Sequence, residues 1–230
     1  MREGGEDHRT LVVFVKHPTP GAVKTRLVPA LGAETAAALY RALVEHVLAG
    51  TSPARGEYER LVFYAPREAT QAMRRWLVGV QLRQQAGEGL GERLADAFAR
   101  AFRRGAGRVA VIGSDAPSLT RADVTAAFAA LDAADVVLGP AEDGGYYLVA
   151  LRAPQPSLFE GIAWSSSRVL EQTLERTRAA GLRVARLETR RDLDTLEDLR
   201  AEWAVLEPLL RPLPGLRAAV ARALSGASAC

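Results

Sequence analysis

Val109-Ala-Val-Ile112 is a short, largely β-branched apolar run with no polar residue inside it, and it ends at once on Gly113-Ser114-Asp115. A strand with one wet face alternates apolar and polar residues, whereas an unbroken apolar run belongs to a strand covered on both faces, as inside a parallel sheet. The pattern recurs at residues 11–15, 61–64 and 135–139, with a more polar run near 80–83 and later strands at 146–151 and 182–187. Helical patterns separate these runs. Residues 33–49 set Leu39, Leu43 and Val47 on one stripe with Tyr40 and Val44 beside it. Others fall near 67–77, along Leu94, Phe98 and Phe102, along Val124, Phe128 and Leu131 behind a Thr120 cap, and to about 180 behind a serine cap at 165–167. Buried strands alternating with amphipathic helices predict an α/β domain whose ligands meet the carboxyl ends of the strands.

Composition narrows the function classes. The formal charge is only +3 in 230 residues, and arginines alternate with acids along helices such as 171–178. No Lys/Arg block interleaved with aromatics appears, so a nucleic-acid partner is not expected. The single cysteine, Cys230, excludes an internal disulfide or a cysteine metal cluster and suits a reducing cytoplasm. No membrane span is expected from hydropathy. Residues 1–9 read as a disordered polar tail, 10–204 as one domain, and 205–230 as a helical appendage.

Four loops carry chemistry-bearing residues. The first strand opens into Lys16-His-Pro-Thr-Pro20-Gly21-Ala-Val-Lys24-Thr-Arg26-Leu, where two prolines and a glycine stiffen the backbone and two cations follow. Lysine offers a point charge and arginine a bidentate fork, both suited to an anion; a solvated turn with incidental charges reads equally well. Val23 stands before Lys24-Thr25 where a P-loop needs glycine. Gly87-Glu-Gly89-Leu90-Gly91-Glu92-Arg93 precedes a helix, but Glu92 occupies the third position of a dinucleotide fingerprint, so a Rossmann site is not met. That turn is either a backbone-amide contact for a ligand or an ordinary lid. Asp115 is either a ligand-facing carboxylate or an acid bonding its own turn. Asp143, ahead of Gly144-Gly145-Tyr146, is a second cleft carboxylate or an Asp-Gly turn, and Trp164 a ligand platform or a packed aromatic. Thr195 with Asp198 forms a capping-box pattern, which leaves Asp192 and Asp194 without a structural role.

In order, these segments (Lys24-Thr-Arg26-Leu, Gly-Leu-Gly-Glu-Arg93, Ser-Asp115-x-Pro, Glu-Asp143-Gly-Gly-Tyr-Tyr-Leu, Trp164-Ser165, Asp192-x-Asp194-Thr-x-Glu-Asp-Leu) resemble the bacterial glycosyltransferase-like proteins of the glycosyltransferase-A fold over about residues 10–200. More distantly they resemble phospholactate and molybdenum-cofactor guanylyltransferases. The resemblance implies a nucleotide-diphospho-sugar transferase fold, three layers α/β/α around a mostly parallel mixed sheet. It implies nucleotide contacts from Pro20, Gly21, Lys24, Arg26, Gly89, Leu90, Gly91 and Arg93, and Mg²⁺ or Mn²⁺ on Asp115 and Asp194. Asp143, with Lys24 and Arg26, would serve catalysis, while Gly144, Gly145, Tyr146, Trp164 and Ser165 would face the acceptor. Two departures stand out. The usual Asp-x-Asp is Asp115-Ala-Pro117, so one carboxylate comes from elsewhere, and the usual Asp-Thr-Pro-Glu has Leu196 for proline. The implied activity is glycosyl transfer from a nucleotide sugar. The alternatives are nucleotidyl transfer from a nucleoside triphosphate, releasing pyrophosphate, and a non-catalytic nucleotide-binding regulator. The acceptor is an unknown small molecule, and a homodimer stays open.

Overall fold

A computed structural model describes residues 8–226. Seven strands, β1 (Arg9–Lys16), β2 (Glu59–Ala65), β3 (Leu82–Gln84), β4 (Arg108–Ile112), β5 (Val136–Pro140), β6 (Tyr146–Leu151) and β7 (Val184–Arg186), form one sheet. The helices are α1 (Val28–Leu31), α2 (Ala33–Gly50), α3 (Thr70–Trp76), α4 (Leu90–Arg103), α5 (Arg121–Ala130), α6 (Val169–Ala179), α7 (Leu196–Ala201), α8 (Trp203–Leu210) and α9 (Pro214–Gly226). Of the tail expected over 1–9, residues 1–7 lie outside the described residues, as does Cys230, and Arg9 already belongs to β1.

The sheet order is β3-β2-β1-β4-β6-β5-β7. Every pairing is parallel except those of β6, which runs antiparallel to both β4 and β5. The unbroken apolar strands are central and the polar 82–84 strand is an edge, as covering on two faces against one requires. Alternate residues of β1 feed opposite layers. Leu11, Val13 and Val15 pack in one core with Val44 and Val47 of α2, Met73 of α3 and Phe128 of α5. Val12 packs in the other with Leu94 and Phe98 of α4 and Leu174 of α6. The result is three layers around a mixed sheet.

A third apolar cluster lies outside these layers. Leu39 and Leu43 on the far side of α2 join Leu27, Leu193, Leu199, Leu206, Leu210 and Val220. Hence α2 is apolar on two sides: one packs on the sheet and the other on the C-terminal helices. The serine cap expected for α6 is not found: Arg168 occupies the N-cap position without a side-chain bond, and Ser166 Oγ donates to the Ala163 carbonyl at 2.6 Å.

Chain direction positions the cleft. From β1 the chain passes through α2 to β2 on one side, while β4 pairs with the other side of β1. The carboxyl ends of β1 and β4 thus flank the point where strand order reverses, where backbone leaves in two directions and a crevice opens. Because β6 is antiparallel to β4, its beginning, Tyr146, lies at the same edge.

Candidate active site

Lys24 is the centre of the site. It has a left-handed backbone (φ 47°, ψ 43°), and with Ser165 (φ 64°) it is one of two non-glycine residues with positive φ among those described. Such conformations are costly for a side chain and persist where surrounding structure holds them. The Lys24 side chain is 3% exposed, and its ammonium bridges Asp115 and Asp194, donating to Asp194 Oδ1 at 2.9 Å. Burial lowers its pKa, but the two carboxylates outweigh burial and hold it above the ordinary lysine range. Three residues from three distant segments therefore meet at one point.

Local bonds explain the convergence. The Leu193 amide donates to the Asp115 carbonyl at 2.9 Å, tying the 192–194 segment to the end of β4. Asp198 Oδ2 accepts from the amides of Asp194 (3.1 Å) and Thr195 (2.8 Å), while Thr195 Oγ1 accepts from the Asp198 amide at 3.2 Å. The expected capping box is thus present and also orients Asp194. Arg191 reaches Asp198 (3.3 Å) on one side and Glu142 on the other, linking this segment to the loop that carries Asp143. Tyr40 of α2 accepts from the Lys16 amide at 2.8 Å and lies 3.0 Å from Ser114 Oγ, joining the ends of β1 and β4. Burial, and then the Asp115 charge, push its phenol up to about 12, so it stays a neutral hydrogen-bonding group.

The cleft above has a volume of about 750 Å³. Lys24, Arg26, Leu90, Arg93, Asp115, Asp143, Gly145, Tyr146, Trp164, Ser165 and Asp194, all singled out from sequence, line it. Pro20, Gly21, Gly89, Gly91 and Gly144 do not. Pro20 and Gly21 are exposed on the outer turn of the first loop and Gly89 is exposed ahead of α4. Gly91 is buried: a Cβ there would lie 2.5 Å from the Phe159 carbonyl oxygen and 2.7 Å from Trp164 Nε1, so glycine lets Trp164 pack against α4. At Gly144 (φ +88°) a Cβ would meet the Ser167 carbonyl oxygen at 2.1 Å.

Two of these residues also have structural work. Arg93 Nε donates to the Gly87 carbonyl at 3.0 Å, with longer contacts to Gln85 and Glu88, so its guanidinium holds the glycine turn. Asp143 Oδ1 accepts from the Gly145 amide at 2.8 Å, the turn bond anticipated as its alternative, while the residue still lines the cleft.

Asp192, given no role from sequence, also lines the cleft. Burial, followed by the charges of Asp115 and Asp143, raises its pKa to about 7. Its signal in the sequence was the Asp192-x-Asp194 spacing, which the capping box did not consume. Lys16, Phe14, Ser166 and Ser167 are further lining residues without a sequence signal.

The donor set suits a hard divalent cation. Four carboxyl groups (Asp115, Asp143, Asp192, Asp194) line the cleft, two of them paired with Lys24, and burial together with the neighbouring acids raises the pKa of Asp192. All the candidate ligands are oxygens, which would suit Mg²⁺ or Mn²⁺. Among the described residues no three acidic, histidine or cysteine side chains are gathered to hold an ion by themselves. Two carboxylates completed by ligand phosphate oxygens is the usual arrangement for Mg²⁺.

With this geometry in view, the relatives become informative. Residues 48–166 match the family described as "Uncharacterized protein conserved in bacteria (DUF2064)", just over half of the chain. The chain belongs to the DUF2064 family. This DUF2064 protein is also 30% identical over 193 residues to a phosphoenolpyruvate guanylyltransferase of Sphaerobacter thermophilus, covering 83% of this chain and 91% of that one. A crystal structure described as a nucleotide-diphospho-sugar transferase, from Desulfovibrio desulfuricans G20, superposes with TM-score 0.83 at 34% identity, covering 92% of this chain and 97% of the other. CMP:2-keto-3-deoxy-manno-octonic acid synthetase complexed with CTP shares the fold at TM-score 0.54 and 16% identity, over 86% and 98% of the two chains. The fold is that of the nucleotide-diphospho-sugar transferases, and its relatives are nucleotide-utilising transferases. No helix among the described residues is long and apolar enough to cross a membrane.

Proposed function

We propose that this protein is a metal-dependent transferase that moves a glycosyl group from a nucleotide sugar to a small acceptor. The observation that carries the reading is the buried Lys24 ammonium joined to Asp115 and Asp194, with Lys16 and Arg26 lining the same cleft and Asp143 near Asp192. A nucleoside diphosphate leaves poorly from carbon unless its negative charge is met as it develops. Lys16, Lys24 and Arg26 supply fixed positive charge for that purpose, and Leu90 and Arg93 border the nucleoside. Asp115 and Asp194 would hold a divalent ion, which when bound supplies further charge neutralisation at the diphosphate. Asp143, with Oδ2 left over from its turn bond, would receive a proton from an acceptor hydroxyl.

Nucleotidyl transfer is the second reading, favoured by the 30% identity to a guanylyltransferase. There the α-phosphorus of a nucleoside triphosphate is attacked and pyrophosphate leaves. The leaving group distinguishes the two. With Mg²⁺ or Mn²⁺, the protein is expected to release nucleoside diphosphate from a nucleotide sugar, and Lys24→Met is expected to lower that rate by about 100-fold or more, the usual scale for losing one charge-stabilising donor. Pyrophosphate release from a triphosphate, with nucleotide sugars inert, would select the second reading.

A further inference from the structure

The cleft is divided by charge, and the division bears on what it accepts. Across the sheet edge the strands follow the order β1, β4, β6, β5. On the β1 side of Asp115 stand Lys16, Lys24 and Arg26. On the β6 side one continuous wall is built from Asp143, Tyr146, Trp164 and the three serines 165–167. The pieces are packed together: Gly144 lies under the Ser167 carbonyl, the Leu170 amide donates to the Gly144 carbonyl at 2.9 Å, and Tyr146 meets Trp164 edge-on with centroids 6.3 Å apart. Asp192 lies within reach of the charges of Asp115 and Asp143, and also of Lys24 and Asp194.

Among the described residues, no lysine, arginine or histidine lines this wall. Arg93, elsewhere on the cleft, is committed to the carbonyls of its own turn, and the adjacent Arg168 directs Nε to Glu171 at 3.5 Å. Ser165 is held in a left-handed conformation, as is Lys24, and both line the cleft. Strain of this kind is retained where a side chain or amide must point at a ligand.

We infer that the acceptor is an uncharged, polyhydroxylated small molecule seated on this wall, not one bearing phosphate or carboxylate. The inference rests on the nucleotide-sugar reading above. Carboxyl groups accept from acceptor hydroxyls but repel anions. Serine hydroxyls both donate and accept, and the Trp164 ring offers an apolar face with a polar edge to a hydroxylated skeleton. In the transfer, the acceptor oxygen bonds to the anomeric carbon while that carbon's bond to the diphosphate oxygen breaks. The electron pair leaves with the nucleoside diphosphate, and the hydroxyl proton passes to Asp143.

The test uses matched acceptor pairs with the full-length protein, Mn²⁺ and a nucleotide sugar, scored as nucleoside diphosphate release above hydrolysis by water. Glycerol, myo-inositol and glucose are each compared with their phosphorylated forms. Neutral members are expected to raise release about 10-fold or more and phosphorylated ones less than about twofold, a discrimination of about fivefold or more. Trp164→Phe is expected to raise KM for the neutral acceptor with donor KM unchanged. Equal or better stimulation by the phosphorylated members overturns the inference, as does a donor-hydrolysing enzyme that no neutral acceptor stimulates. Failure of the underlying reading looks different: nucleotide sugars stay intact and triphosphates yield pyrophosphate. The same pairs are then scored by pyrophosphate, and preference for a phosphorylated member overturns the inference there too.

Discussion

Gly91 shows how much one missing methyl group can control. It lies on the first turn of α4, where a helix-forming residue would ordinarily be favoured, yet the carbonyl of Phe159 and the indole of Trp164 occupy the space a Cβ would need. Gly91→Ala is expected to destabilise the protein by about 1–3 kcal/mol through overpacking and to shift the Trp164 fluorescence. Gly215→Ala serves as the control: nothing lies within 4 Å of its Cβ position and its φ is not left-handed, so a neutral or slightly stabilising effect is expected in urea denaturation. Equal losses for both variants would show that the space at Gly91 is not the constraint. Lys24 illustrates the same dependence differently, since its cation is useful only because a left-handed turn and two carboxylates hold it in place.

At the scale of elements, β7 is held by charge as well as by its ladder. Asp135, just ahead of β5, accepts from the Arg183 amide and from Arg183 Nε and Nη2, each at 3.0 Å. The Arg183 hydrogen bonds, foremost, lower the Asp135 pKa to about 2 from an ordinary 3.8. A carboxyl group with a depressed folded pKa stabilises fully above its unfolded pKa, and the contribution is lost as pH falls through the folded one. Asp135→Asn is therefore expected to lower the urea midpoint at pH 7 but to show a smaller further loss than the parent between pH 4 and pH 2. Parallel pH profiles for the two proteins would remove this role. Arg191, linking Glu142 and Asp198, belongs to the same scale: it couples the loop of Asp143 to that of Asp194, a connection between segments some fifty residues apart.

For the whole molecule, the C-terminal helices matter more than a surface appendage would. Leu206, Leu210 and Val220 are fully buried against α2 and against Leu193 and Leu199, which flank Asp194. Their burial contributes on the order of 5 kcal/mol. Ending the chain after Ala201 is expected to lower the thermal midpoint by more than about 10 °C and to weaken nucleotide-dependent stabilisation, both visible in one thermal-shift titration. A truncated protein with unchanged midpoint and unchanged nucleotide response would make residues 202–230 dispensable.

Much of this was legible in the chain. Unbroken apolar runs such as 109–112 report their own two-sided burial, and the stripe at 33–49 reports a helix, because water penalises the same residues wherever the chain places them; that this helix is buried on two sides was not legible. The Thr195–Asp198 cap is likewise local. Other features were not legible. Asp192 has no signature beyond its spacing, because its raised pKa comes from burial the sequence does not display and then from Asp115 and Asp143, about 80 and 50 residues earlier. Sequence by itself determined the strands, the helices and the candidate loops, each set by periodicity and turn chemistry within a dozen residues. Only the tertiary structure decided that Lys24 bridges Asp115 and Asp194, that Arg93 and Gly91 serve packing, and that cations from the first loop and serines 165–167 line one cleft. Those facts depend on strand order at the β1–β4 switch, a long-range arrangement that no local pattern encodes.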